Sequence, residues 1–453
     1  MRLSGQMQSG MVAFNRGLAS NPTALFGGSK ASGLARDSLE TKYIAVSLHR
    51  ADELHTEKTQ WRSSPREMNN GRVGGNMGAV KNVIVLGGGI GGLTAAHALR
   101  RIGVSVRVIE MGDRSDRIGT GITLLGNALR ALAELELVEA CLQGGHGWDV
   151  VSIRDAAGNP LLQQFSPRIW DPDRPAALGI MRPRLGQILE EAARTSGAEI
   201  AFNTTVTRID QDAEGVTVQL SHGETDRADL LIAADGVYSK TRQQIFGEEF
   251  KPHYAGQGVW RYTVSRTEAM DGFILYRHPT GRVVGALPLS KELCYLFFLE
   301  TTDEKLRVAQ DQVCHYVRNL LAPFTAPELI QAADLVGEGN HISYRPFDVL
   351  MMPAPWHRGR VVLLGDSAHS LTPQMTSGGG MAIEDALVLA QELRRSRDLE
   401  TALAGYCVRR EERVKRIYDI GYAICNEERN PMHSREYQIG LLREGYAFLS
   451  APV

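Results

Sequence analysis

Cysteine is scarce in this chain, long apolar runs are missing, and neither sign of charge dominates. The five cysteines, Cys141, Cys294, Cys314, Cys407 and Cys425, are scattered through 453 residues with no C-x-x-C spacing. That pattern argues against a disulfide framework or a zinc site and fits a reducing, cytoplasmic setting. Most of them read as small buried hydrophobes, and no metal site is expected. No stretch approaches the ~18 consecutive apolar residues that span a bilayer. Basic residues number 50 against 52 acidic, a net charge of −2. Nothing in that balance favours a nucleic acid or an anionic membrane as partner.

Residues 1–80 lack any sustained hydrophobic period, and they lack the apolar core of a secretory signal. The segment is rich in Ser, Gly, Asn and Arg and reads as a disordered leader, with Met68 and Met77 as alternative starts. Asp37, Glu40, Asp52, Glu53 and Glu57 count against a transit peptide.

The stretch 81–110 is what the chain is built around. Val83 to Leu86 is a β-branched apolar run, as in a strand buried on both faces. Gly87, Gly89 and Gly92 follow with the spacing G-x-G-x-x-G. A turn this tight needs positive φ, and a pyrophosphate approaches the backbone only where no Cβ intrudes. A helix from about Ile90 to Arg101 then points its N–H groups at that phosphate, and Gly103 ends it. Val104 to Ile109 is a second strand. Glu110 closes it, placed to accept hydrogen bonds from a ribose.

Further along, Asn127 to Leu142 reads as one helix, and Val150–Arg154 with Leu161–Phe165 as a hairpin around Gly158-Asn159. Arg182 precedes an amphipathic helix. Glu199–Ile209 reads as a strand, as do Val216–Leu220 and Leu230–Ala233. From Gly258 to Glu300 strand-like runs recur with few helices, an antiparallel sheet of a second, α+β domain. Residues 303–335 return to helix. Arg360–Leu364 is a strand, and long helices follow from Met381 to Arg395 and from Glu400 to Asn426, with a tail of ambiguous pattern.

Three separated motifs line up. They are Gly87-x-Gly89-x-x-Gly92 with Glu110, then Ala234-Asp235-Gly236-x-x-Ser239-x-x-Arg242, then Gly365-Asp366-Ser367-Ala368-His369 followed by Pro373 and Gly378-Gly379-Gly380. Over about 81–426 this set resembles the single-component FAD-dependent aromatic hydroxylases, the para-hydroxybenzoate hydroxylase-like monooxygenases. The closest flavour is that of the salicylate, 3-hydroxybenzoate, 6-hydroxynicotinate and urate hydroxylases. The resemblance implies an α/β fold: a Rossmann-like FAD-binding domain, an inserted antiparallel-sheet substrate domain and C-terminal helices. The FAD-binding domain is expected over 81–150, 180–250 and 355–396, and the sheet domain over 150–180 and 250–354. The C-terminal helical segment takes 397–453.

By the same resemblance Gly87, Gly89 and Gly92 cradle the FAD pyrophosphate and Glu110 holds the adenosine ribose. Arg182 contacts the linking chain, Val206 the adenine, Asp235 the pyrophosphate end and Asp366 the ribityl hydroxyls. The N–H groups of Gly378 and Gly379 face the flavin's electron-poor edge, where a helix dipole suits the reduced, anionic ring. Pro373 lies beside that ring, and Arg242 is placed to meet a nicotinamide cofactor. The family pattern departs at Thr376 and Ser377, where Gly and Gln are usual, at Gly380, where Asn is common, and at Thr120, where Ala is usual. His369 and His97 read as packing residues, and Glu384 and Asp385 as first-turn carboxylates complementing a helix dipole.

The implied reaction uses NADH or NADPH and O2: a flavin C4a-hydroperoxide transfers one oxygen to a small electron-rich ring. The protein's tasks are to exclude water and to favour the phenolate. Pocket candidates are Thr123, Trp260, Arg261, Tyr262, Tyr276, Arg282, Tyr295 and Phe297, of which strand alternation admits about half. Arg282 and Pro373 are the expected catalytic positions, Arg282 by attraction for a carboxylate or oxyanion. The chain is expected to act as a monomer or homodimer. The alternatives are a flavin dehydrogenase or reductase on the same fold, and a non-catalytic binding protein on the scaffold.

Overall fold

The computed structural model describes residues 79–113, 120–337, 342–430 and 434–453. The leader, except Ala79 and Val80, lies outside the described residues, and so does Gly119 of the loop after Glu110. Ala79 and Val80 already belong to the folded body: Val80 is buried, and the Ala79 N–H donates to the Leu393 carbonyl.

Asn82–Leu86 is central in a six-stranded sheet. Leu230–Ala233 and Ser105–Ile109 flank it in parallel. Val361–Leu363 extends the sheet on one side and Glu199–Ala201 on the other, also in parallel, and His357–Arg358 adds an antiparallel edge. A strand covered on both faces can be apolar throughout, as Val83 to Leu86 are: helices pack on Val83 and Val85, and the three-stranded sheet of residues 206–228 packs on Ile84 and Leu86, so all four are buried. The helix Ile90–Arg101 follows, and Gly103, with φ 86°, makes its left-handed exit. Its small residues let Gly378–Arg395 and Arg182–Thr195 lie against it. At Gly91 a methyl group would fall 2.7 Å from Leu364.

The second large sheet has eight strands. Their order is His369–Ser370, Ile342–Met351, His253–Ser265, Leu293–Thr301, Val283–Pro288, Phe273–Arg277, Val150–Asp155 and Pro160–Phe165. It is mixed rather than wholly antiparallel, because the hairpin 150–165 joins Phe273–Arg277 in parallel. Alternation divides its residues between two faces. Trp260, Tyr262, Tyr276, Leu296 and Phe298 pack under the helices Val313–Leu321 and Pro327–Asp334. Tyr295, Leu287 and Leu289 face the other way, toward Trp148 and Ala177. Burying each large apolar side chain contributes roughly 1.5–3 kcal/mol, so both faces are held firmly.

Four local expectations change. The helix expected over 127–142 is two, Gly126–Glu134 and Val138–Gly144, interrupted where Glu136 takes φ 60°. The strand expected over 199–209 breaks at Asn203, φ 53°, and its second half, Val206–Gln211, joins a separate three-stranded sheet. The helical stretch 303–335 resolves into Val313–Leu321 and Pro327–Asp334. The tail is the helix Arg435–Ser450, capped by Ser434. Among the described residues, no helix is long and apolar enough to cross a membrane.

Candidate active site

Three strand ends place the three motifs side by side. Asn82–Leu86, Leu230–Ala233 and Val361–Leu363 are neighbours and run the same way. Each hands its chain to a motif at its carboxyl end, where ligands of open α/β sheets bind. The turns touch. A Cβ on Gly87 (φ 104°) would sit 2.3 Å from the Ala234 carbonyl oxygen, and one on Gly92 would sit 2.0 Å from the Gly87 oxygen. Those two positions admit only glycine. Gly89 differs: nothing lies within 4 Å of where its Cβ would be, so its face is open to a ligand. Its φ of −79° starts the helix, whose first turn carries no acid. Gly378 is likewise open and begins an 18-residue helix with no acid in its first turn.

The polar groups around this cleft are only partly satisfied. The Glu110 carboxylate accepts the Gly88 N–H at 2.5 Å and the Gly112 N–H at 2.7 Å, which holds the loop and leaves lone pairs for a ribose. Asp235 accepts from the Thr241 N–H and hydroxyl through one oxygen, while the other is buried without a partner. Such an orphan is the mark of a missing donor. Asp366 makes no hydrogen bond or ion pair with another described residue. It lies in an exposed recess, and desolvation pushes its carboxyl above the usual range. Val206 starts its strand just past Thr204, whose N–H donates to the Glu110 carbonyl, so it lies near the ribose end.

Pro373 opens a short turn, Pro373–Met375, after which Thr376 takes a left-handed φ of 53°. That conformation costs a non-glycine residue about 1 kcal/mol or more, and it explains why glycine suits the position.

Arg182 is the first residue of its helix, with its N–H bonded to the Thr120 carbonyl. Its charge acts on Asp366 on one side and on Arg261 and Tyr295 on the other. It therefore lies between the Asp366 turn and the face of the large sheet that bears Arg261 and Tyr295. Arg261, opposite Phe297 in the register, lies on that face beside Tyr295. Thr123 is buried next to Tyr295.

Four pocket candidates lie elsewhere. Tyr262 and Tyr276 belong to the helix-covered face: the Tyr262 hydroxyl donates to the Ala332 carbonyl and that of Tyr276 to Glu328. Trp260 packs there too, its ring against Tyr316. The reason is parity, since Tyr262 is one residue from Arg261 and must point oppositely. Arg282 is exposed where the hairpin Phe273–Pro288 turns, and the group it acts on is Tyr316, also on the helix-covered side. Arg282 therefore lies away from the sheet face that bears Arg261 and Tyr295.

Arg242 is not free to meet a nicotinamide. It is fully buried and donates to the carbonyls of Phe250, Ser367 and Val237 at 2.9, 2.9 and 2.8 Å, stapling the second motif to the third. Glu384 and Asp385 lie beyond the first turn and are buried. Asp385 accepts from His369 Nε2 at 2.6 Å, the Gly365 N–H at 3.0 Å and Arg410 Nε at 2.7 Å. Glu384 takes Arg410, Arg413 and the amide of Asn127. Burial works to raise the Asp385 pKa, but His369 and Arg410 outweigh it and hold it at about 2. His369 thus bonds a carboxylate rather than backbone, whereas His97 packs between the Ala192 and Leu135 carbonyls. Periodicity carries no sign that Arg410, on the helix Leu399–Arg429, lies under the Asp366 turn.

Known proteins share this chain's sequence pattern and fold. The family described as FAD binding domain matches residues 81–419. YetM of Bacillus subtilis, which carries the name of an FAD-dependent monooxygenase, is 32% identical, with 81% of this chain and 100% of the relative covered. The FAD-dependent urate hydroxylase of Klebsiella pneumoniae is 33% identical over 73% of this chain and 86% of its own length. The crystal structure of Klebsiella pneumoniae HpxO complexed with FAD and uric acid superposes with a TM-score of 0.71, at 28% identity. It covers 82% of this chain and 97% of that one.

Proposed function

Since the chain belongs to the family described as FAD binding domain, we propose that it is an FAD-dependent monooxygenase that uses NADH or NADPH and O2 to hydroxylate a small aromatic or heteroaromatic ring. The observation that carries this reading is the meeting of Gly89, Asp235 and Asp366 at three adjacent parallel strand ends, with an orphaned Asp235 oxygen and an unpartnered Asp366 beside them.

These residues suit an elongated dinucleotide. Gly89 and the helix it starts would take the pyrophosphate, Glu110 and the backbone near Val206 the adenosine, and Arg182 the linking chain. Asp366 would accept ribityl hydroxyls, and the Gly378–Gly379 N–H groups would face the flavin edge beside Pro373. When bound, FAD would supply the redox chemistry, two-electron exchange with a nicotinamide and activation of O2 toward the ring. The chain's own work is to orient and enclose. The helix N-terminus at Gly378 stabilises negative charge opposite it. The sheet face bearing Arg261, Tyr295 and Phe297 closes the chamber and sheds water.

Purified protein should be yellow, or become so with FAD, with the absorbance of oxidised flavin. A screen of hydroxylated benzoates, nicotinates and purines should find compounds that stimulate NAD(P)H oxidation and gain one oxygen by mass. A preparation that takes up no FAD overturns the reading. Steady O2 uptake with no hydroxylated product from any stimulating compound points to a dehydrogenase or reductase.

A further inference from the structure

Arg261 is a cation without an anion. It is half-buried at the middle of the strand His253–Ser265, on the face turned away from the helices. Its backbone is paired in the sheet, but among the described residues its side chain makes no hydrogen bond or ion pair. The charged side chains that act on it are Arg182 and Arg345, both of its own sign. Desolvation and those two cations hold its pKa down to about 10, with Tyr295 acting in the opposite direction. A guanidinium drawn out of water beside other cations is costly unless something negative completes it. The contrast within the fold is sharp. The buried Arg410 and Arg413 are matched by Glu384 and Asp385, and Arg242 by three carbonyls.

The surroundings select what completes it. Tyr295 is 8% exposed, burial raises its pKa, and it therefore stays a neutral hydroxyl able to donate. Its ring and that of Phe297 lie 5.9 Å apart and offer apolar surface for a flat molecule. A planar fork of N–H donors beside aromatic surface suits a planar anionic oxygen group attached to a ring.

We propose that Arg261 binds an anionic oxygen of the substrate, a carboxylate or an ionised ring oxygen, so that the enzyme selects anionic aromatics over neutral ones of the same shape. The proposal rests on the reading of this chamber as the place of hydroxylation. Arg261 fixes which edge of the ring faces the flavin and sets specificity, with Tyr295 as second donor.

The test uses the FAD-loaded protein and flavin fluorescence titration with matched pairs. These are 2- and 3-hydroxybenzoate and 6-hydroxynicotinate against their amides, and 4-nitrophenolate against 4-nitroaniline. The carboxylate pairs and the phenolate pair separate the two sources of charge. At least one anion should bind about tenfold or more tightly than its neutral partner. Arg261→Gln should bring that ratio near one, and Arg261→Lys should restore part of it, with FAD affinity unchanged in both. Equal binding within every pair in the wild type overturns the proposal even if neither variant folds. A ratio unaltered by Arg261→Gln overturns it too, and loss of FAD in that variant assigns the arginine to the cofactor instead. Protein that takes up no FAD at all refutes the functional reading beneath it, a separate outcome.

Discussion

Replacing Asp385 with Asn removes one negative charge from a sealed network and should reach the cofactor through the Gly365–His369 turn. The side chain is fully buried and accepts three hydrogen bonds, two of them from Arg410 and His369 and one from the Gly365 N–H. Asparagine keeps the shape but leaves Arg410 facing Glu384 alone, with Arg413 already on that carboxylate. Breaking a buried ion pair from one side costs about 3–5 kcal/mol. The loss should appear in urea unfolding of the apoprotein as a lower midpoint at unchanged slope. The turn that Asp385 pins also carries Asp366, so FAD affinity should fall by about tenfold or more. In the wild type the same carboxylate predicts an acid limb. Its pKa lies below the ordinary 3.8, at about 2. Stability that it contributes is therefore full above about pH 4 and is lost as pH falls toward 2. The amount is roughly 2 kcal/mol, and the variant should lack that limb. A loss under 1 kcal/mol, or a destabilised variant with unchanged FAD affinity, would refute the argument that this network positions the turn.

Gly89→Ala should fold like the wild type, because its Cβ meets nothing, yet bind FAD at least tenfold more weakly, read by flavin absorbance after gel filtration. Gly92→Ala should instead lose folded protein, since its Cβ would meet the Gly87 carbonyl oxygen at 2.0 Å, as circular dichroism will report. Asp366→Ala should leave apoprotein melting unchanged or slightly raised, because the carboxyl pKa is pushed up by desolvation and no protein donor is lost. FAD titration should show weakened binding all the same. Arg242→Met should cost about 3 kcal/mol or more in chemical unfolding by stranding three buried carbonyls.

The glycine turn and its flanking strands were legible because their constraints are local. A strand buried on both faces must be apolar, and a tight turn must be glycine at Gly87 and Gly92, so residues 81–110 announce themselves. The breaks at Glu136 and Asn203 were hidden because each is a single left-handed residue inside an otherwise consistent period. Tyr262 illustrates a subtler limit. Trp260, Arg261 and Tyr262 are adjacent and all plausible in a pocket, and only knowing which face the helices cover tells which one points inward.

The sequence by itself determined the nucleotide cradle, the class of fold and the three stretches that must meet, since each is written in backbone chemistry that depends on near neighbours. Only the tertiary structure decided that Arg261 rather than Arg282 shares the sheet face of Tyr295, that Arg242 staples two motifs together, and that Arg410 comes from a distant helix to neutralise Glu384 and Asp385. Those outcomes depend on which surfaces cover one another and on which charges lose their water, and residues far apart in the chain settle both.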